Sequence, residues 1–168
     1  MEILTQEKIN KDVKDLLDLL EKTQWTHTPD FKLLDKLKIL SREDLREMPM
    51  EKGIGRTTTS GSTGKPVTVE KTYADHIWHL ATNIREIKWR KWDVNKRQNL
   101  IDTKGTGERG GTMYSSEEFG TIAIQCPDNP AVMHVMENLI VEVDSDGAAI
   151  ITSLTNPYTK RYKLGDHL

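Results

Sequence analysis

Thr57-Thr58-Thr59-Ser60-Gly61-Ser62-Thr63-Gly64-Lys65-Pro66 concentrates hydroxyls, two glycines and one ammonium in a single short run. Gly61 and Gly64 relieve the φ restriction, so that consecutive backbone N–H groups can turn toward one anion. The hydroxyls and Lys65 can add donors to the same concavity. β-Branched residues flank the run and it ends in Val67-Thr68-Val69, which predicts the turn of a strand-loop-strand unit rather than a tail. It is not a Walker A loop. That motif requires glycine where Thr59 stands and a hydroxyl where Pro66 follows Lys65, with a helix after it. The competing reading is a Ser/Gly/Thr linker.

Outward from this run, the upstream residues read as helical. Ile9, Val13, Leu16, Leu17 and Leu20 recur at spacings of three and four, with lysines and aspartates between them. Thr28-Pro29-Asp30 breaks that helix, and a second is expected from Phe31 to about Ile39. Ser41 with Asp44 has the form of a capping box, so a short helix starts there. Downstream, Thr72 caps a helix expected to reach about Trp92, with Ile77, Leu80, Ala81, Ile84 and Ile87 as its core stripe. His76 and His79 on this helix have a spacing that could share a metal, but no third ligand is evident. Strands are expected at Thr121 to Gln125, Leu139 to Val143 and Ala149 to Ser153, the last two joined by a structural turn at Asp144-Ser145-Asp146-Gly147. Helices alternating with short strands predict an α/β or α+β chain, organised as one domain over residues 1–168.

Composition excludes several classes. A net charge of -2 lacks the basic excess of a nucleic-acid binder. A local cluster, Arg85, Lys88, Arg90, Lys91, Lys96 and Arg97, reads as a solvated helix face running into a loop. No apolar run is long enough to span a membrane, and Met1-Glu2 followed by mixed charges does not resemble a signal peptide. The single cysteine, Cys126, excludes an internal disulfide and suits a cytoplasmic location.

Taken with its neighbours, "TSGSTGKP" resembles the phosphate-binding signature of adenylate-forming enzymes, most closely that of the phenylacetate–CoA ligase branch and its capsule-biosynthesis-type relatives. Four further segments stand in that family's order. Ile39-Leu40-Ser41-Arg42-Glu43-Asp44-Leu45-Arg46 is similar to "P-x-L-T-K-E-D-L-R". Trp89 to Val94 resembles a helix-to-strand passage. Tyr114-Ser115-Ser116-Glu117-Glu118-Phe119-Gly120 is similar to "Y-G-S-T-E-x-G", and Arg161-Tyr162-Lys163-Leu164-Gly165-Asp166 to "R-Y-R-x-G-D".

The resemblance implies ATP-dependent activation of a carboxylate, giving an acyl-adenylate that passes to coenzyme A or another acceptor. Such chemistry depends on charge neutralisation and positioning more than on a base. It implies that Thr59, Ser60, Gly61, Ser62, Thr63, Gly64 and Lys65 wrap the ATP phosphates, with Lys65 catalytic. Alignment on Phe119-Gly120 puts the catalytic, Mg2+-binding glutamate at Glu118 rather than Glu117, the adenine-stacking aromatic at Tyr114 and Ser116 among the nucleotide contacts. Asp166 takes the role of the carboxylate that binds the ribose hydroxyls of ATP or AMP. Read singly, Tyr114 is a core aromatic, Glu117 and Glu118 are surface acids, and Asp166 is a turn residue.

Departures from the pattern are as informative. Ser115 replaces a glycine and Glu117 a hydroxyl residue. The long family segment that supplies several strands and the acyl pocket is replaced by a short polar stretch, with residues 103–112 expected as a loop at the junction. The chain stops soon after Asp166, which implies that the family's small C-terminal domain and its lysine are missing. A reduced mixed sheet is therefore expected. Three readings stay open: a shortened adenylating enzyme, a non-catalytic remnant that binds a nucleotide or pairs its exposed strand edges with a second copy, and an engineered or spliced derivative of an ordinary ligase.

Overall fold

The computed structural model describes residues 5–22, 34–59, 65–91 and 112–167. In chain order these form helix α1 (Gln6–Lys22), a 3-10 turn (Leu34–Lys36), helix α2 (Arg42–Glu47), strands β1 (Gly55–Thr58) and β2 (Thr68–Lys71), and helix α3 (Tyr73–Trp89). Six strands follow: β3 (Met113–Ser116), β4 (Gly120–Gln125), β5 (Met133–Val135), β6 (Leu139–Val143), β7 (Ala148–Ser153) and β8 (Tyr162–His167). Helices with antiparallel sheets make this a mixed helix-and-sheet fold, as expected. The glycine-rich residues 60–64, the break at 28–30 and residues 103–111 of the expected junction loop lie outside the described residues.

The strands pair antiparallel throughout, as β1-β2, β3-β4-β5 and β6-β7-β8. One parallel bridge, Leu40 with Tyr162, ties the segment before α2 to β8. There the Leu40 N–H donates to the Arg161 carbonyl at 2.8 Å, and the Lys163 N–H donates to the Leu40 carbonyl at 2.9 Å. Arg161 makes this join with φ at 47°, and its guanidinium meets both Glu142 carboxylate oxygens and the carbonyls of Leu34 and Leu37.

A single core spans all three sheets. Leu45 of α2, Val67 and Val69 of the hairpin, Ile122 and Ile124 of β4, Ala149 and Ile151 of β7, and Tyr162 and Leu164 of β8 form one buried cluster. Burying each large side chain contributes about 1.5–3 kcal/mol. A helix as short as α2 could not persist on propensity alone. It is held by the complete burial of Leu45 and by the capping box, in which the Asp44 N–H donates to the Ser41 hydroxyl and the Ser41 N–H donates to the Asp44 carboxylate.

Helix α1 packs on α3 through Val13 against Ile77 and Ala81, with Ile9, Leu16 and Leu17 around them. The apolar stripe expected on α3 is only partly the buried one. Ile77 and Ala81 are inside, but Ile84 is exposed, and Thr82, Arg85 and Glu86 are buried instead. The reason is charge pairing. Arg85 meets Glu137 in an ion pair and lies 5.6 Å from the Trp89 ring centroid, while Glu86 accepts from Arg90 at 2.9 Å. Two members of the basic cluster, Arg85 and Arg90, are thus packed ion-pair partners rather than a solvated face; Lys96 and Arg97 lie outside the described residues. Helix α3 ends at Trp89, and Lys91 takes a positive φ of 52° just beyond it. Of the helix expected over 31–39, residues 34–39 are described; only Leu34–Lys36 form a 3-10 turn, and 37–39 are not helical.

Candidate functional site

The ends of the glycine-rich run are fixed from α2. Arg42 and Arg46 stand four residues apart, so their side chains share one helix face. Arg42 Nη2 donates to the Thr59 hydroxyl at 2.8 Å, and Arg46 Nη2 donates to the Lys65 carbonyl at 2.9 Å. The Thr59 hydroxyl also accepts the Val67 N–H at 3.0 Å, and the Thr59 N–H donates to the Val67 carbonyl at 2.9 Å. Thr59 therefore closes the hairpin, and the Lys65 side chain beyond it is exposed. Ser60, Gly61, Ser62, Thr63 and Gly64 lie outside the described residues.

The tyrosine–glutamate segment begins on β3, crosses a three-residue turn and enters β4 at Gly120, whose φ of 73° suits glycine. Its register against β4 shifts between Tyr114 and Ser115. This segment touches the hairpin directly: the Thr57 hydroxyl donates to the Glu117 carbonyl at 2.7 Å. Lys71, at the end of β2, donates to the Glu117 carbonyl at 3.0 Å and to the Glu118 carbonyl at 2.6 Å. Burial pulls the Lys71 ammonium below the usual lysine range, opposed by the charges of Asp75, Glu118 and Glu117.

The two adjacent glutamates face different surroundings. Glu118 is buried, and its Oε1 accepts the Tyr162 hydroxyl at 3.3 Å inside the core. Glu117 is exposed and lines the main cavity. Tyr114 is half-buried, its hydroxyl donating to Asp166 Oδ2 at 3.0 Å. Burial first, and the bond to Asp166 second, push the Tyr114 phenol well above its usual range, so it stays protonated and remains the donor. Burial likewise raises Tyr162, with the charge of Glu118 adding to it. The Ser116 hydroxyl accepts the Phe119 N–H at 3.3 Å, which braces the turn.

A cavity of about 860 Å3 opens between α1, the β1–β2 hairpin, α3 and the β3–β4 strands. Ser116, Glu117 and Thr57 line it, whereas Tyr114, Glu118, Lys65 and Asp166 do not. Lys71, His76, His79 and Asn83 add polar groups that the motif comparison did not single out for function. His79 sits below the usual histidine range through burial first, then the neighbouring His76 and Lys71, and an Asn83 amide lies 3.1 Å from its Nε2. Among the described residues no group of three or more His, Cys, Asp or Glu side chains gathers as a metal cluster. No helix among them is long and apolar enough to cross a membrane.

Of the expected site residues, the structure joins Tyr114 to Asp166, places Ser116 in the turn that Thr57 of the hairpin touches at Glu117, holds Thr59 on Arg42 and Val67, and buries Glu118. Sequence reasoning missed Arg42, Arg46 and Lys71. The two arginines carried a faint signal in their four-residue spacing around Leu45; Lys71 carried none beyond a cation just before the Thr72 cap. The chain matches no protein-family model, and no curated protein is significantly similar to it.

Proposed function

We propose that this chain is a shortened adenylate-forming domain whose retained chemistry is the binding of ATP or AMP, the latter being what remains of an ATP-dependent carboxylate activation with coenzyme A as an acceptor. One observation carries the reading: the Tyr114 hydroxyl and the Asp166 carboxylate meet at 3.0 Å. In a nucleoside the base and the ribose are directly bonded, so an aromatic for one and a carboxylate for the other must be neighbours. Among the described residues the hydrogen bond to Asp166 is taken by Oδ2, which leaves Oδ1 for a ribose hydroxyl. Lys65 and the hydroxyl-rich residues after Thr59 supply the phosphate donors.

Mg2+ is usually held by one or two carboxylates together with phosphate oxygens and waters. The carboxylate that fits this role is Glu117, exposed at the cavity, rather than Glu118, whose oxygen takes the Tyr162 hydroxyl in the interior. When bound, the cation would neutralise phosphate charge. Lys65 would do the same from the hairpin, and Ser116 would orient the turn that carries Glu117.

Calorimetric titration of Mg-ATP and AMP into the chain tests the reading, with Lys65→Ala and Asp166→Ala alongside. Saturable binding weakened by both variants supports it, and pyrophosphate exchange with a panel of carboxylic acids then asks whether turnover survives. A folded chain that binds neither nucleotide refutes it. The second reading, a partner-binding remnant, is favoured by Met113, Val132, Met133 and Val135, large apolar side chains left exposed on and beside β3 and β5. A concentration-dependent dimer in sedimentation, without nucleotide binding, would favour that reading.

A further inference from the structure

We infer that Arg42 and Arg46 are positioning residues for a polyphosphate ligand: from one face of α2 they fix the two ends of the hydroxyl-rich run, Thr59 and Lys65, and so present the Lys65 ammonium to the anion. The inference rests on the nucleotide reading and adds to it two residues not assigned to the nucleotide. Arg42 and Arg46 lie four residues apart on a helix whose Leu45 is fully buried, in the same cluster as Val67 and Val69 of the hairpin. Core packing therefore brings both arginines to the hairpin.

The hairpin ladder shows why side chains are needed there. Its last backbone bond runs from the Thr59 N–H to the Val67 carbonyl at 2.9 Å. The Val67 N–H turns to the Thr59 hydroxyl at 3.0 Å, and Pro66 before it has no N–H to give. Past this point, among the described residues, the hold on the chain comes from α2. The two ends differ: Thr59 is held by the backbone and by Arg42 Nη2 together, whereas Arg46 Nη2 supplies the bond to the Lys65 carbonyl. The Nε–H of each arginine is buried with no hydrogen-bond partner among the described residues. An unpaired buried donor costs stability, and both side chains nevertheless keep their bonds to the hairpin. Between the two ends the sequence has Gly61 and Gly64, and glycine loses the most backbone freedom when it is fixed. An anion that gathers such a run must offset that loss, and ends fixed beforehand reduce it. For Lys65, a held carbonyl also limits where its ammonium can reach.

The wild type, Arg46→Ala, Arg42→Ala and a control at an exposed residue of the same helix, Glu47→Ala, are titrated with Mg-ATP and with AMP by calorimetry. Arg46→Ala is expected to weaken Mg-ATP about tenfold, the scale of one hydrogen bond from a charged group, and to leave AMP nearly unchanged. Arg42→Ala should weaken Mg-ATP less, since the Val67 backbone still holds Thr59, and Glu47→Ala should change neither. Each variant is judged by the ratio of its two affinities, so a partly unfolded sample does not mimic the effect. Arg46→Lys, which keeps a donor, should recover part of the loss, and it decides with Arg42→Ala if Arg46→Ala fails to fold. Because Arg46 acts through Lys65, the loss should shrink when Arg46→Ala is combined with Lys65→Ala. Equal weakening of both nucleotides, an unchanged affinity for Mg-ATP, or a full loss that persists beside Lys65→Ala would overturn the inference while wild-type binding upholds the nucleotide reading. A wild type that binds neither nucleotide overturns both.

Discussion

The Tyr114 hydroxyl donates to Asp166 Oδ2 at 3.0 Å, and this bond joins β3 to β8 across 52 positions of sequence. The same residues are proposed to hold base and ribose, so their contributions to stability and to binding can be separated. Tyr114→Phe should cost about 0.5–1.5 kcal/mol in urea unfolding, the scale of one hydrogen bond. Asp166→Ala should weaken AMP and Mg-ATP alike, by about tenfold if a charge-assisted bond to ribose is lost. Lys65→Ala should weaken Mg-ATP more than AMP, because the β- and γ-phosphates are its proposed partners. Calorimetry with both nucleotides reads the distinction.

The buried Arg85–Glu137 pair gives a second prediction. Their side chains are 9% and 20% exposed, and Arg85 also donates to Met136 Sδ at 3.3 Å. Removing one partner leaves the other charge largely buried, so Glu137→Leu should destabilise by about 3 kcal/mol. Replacing both, Arg85→Met with Glu137→Leu, should cost clearly less than the sum of the two single changes. A double-mutant cycle in denaturant measures the coupling.

The same pair marks what the sequence could and could not convey. The capping box of Ser41 with Asp44 and the cap at Thr72, which Asp75 completes as a second box, lay in reach of the sequence because a cap depends on neighbours a few residues apart; only the first was read as a box. The hairpin around the hydroxyl-rich run and the turn at Asp144 were legible for the same local reason. Arg85 and Arg90 read as polar surface because a charge looks solvated until its partner is known, and Glu137 is 52 positions from Arg85. Which of Glu117 and Glu118 is buried was illegible for a comparable cause. Which of two adjacent side chains turns inward depends on the register, and here it shifts between Tyr114 and Ser115. Strand β8 has the period-two burial of Tyr162 and Leu164, but Gly165 and the charges around it obscured the pattern.

Acid should act on the Asp144 turn. The Asp144 carboxylate accepts the Asp146 and Ala148 N–H groups, both at 2.9 Å, and pairs with Lys163 Nζ at 2.5 Å. The hydrogen bond from Lys163 first, then that from the Ala148 N–H, lower its pKa to about 2 from 3.8. A carboxyl depressed by folding binds fewer protons in the native state, so its contribution is complete above the unfolded value of 3.8 and lost as pH falls toward 2. Melting temperature should therefore drop between those values. Asp144→Asn should lower it at neutral pH and flatten part of the acid slope.

Gly53 and Lys71 supply the last prediction. A Cβ built on Gly53 would lie 2.1 Å from the Lys71 carbonyl oxygen and 2.9 Å from its carbon. That obstacle is backbone and cannot rotate away. Gly53→Ala must therefore push the end of β2 aside, straining the bond from the Gly53 N–H to Glu70 Oε2 at 3.0 Å and that from the Ile54 N–H to the Lys71 carbonyl at 2.9 Å. Overpacking of this kind costs about 1–3 kcal/mol. Gly55→Ala, two residues on, meets nothing within 4 Å and serves as the control, with a change within about 0.5 kcal/mol. Hydrogen exchange should separate them: the Ile54 amide quickens in Gly53→Ala and holds in Gly55→Ala.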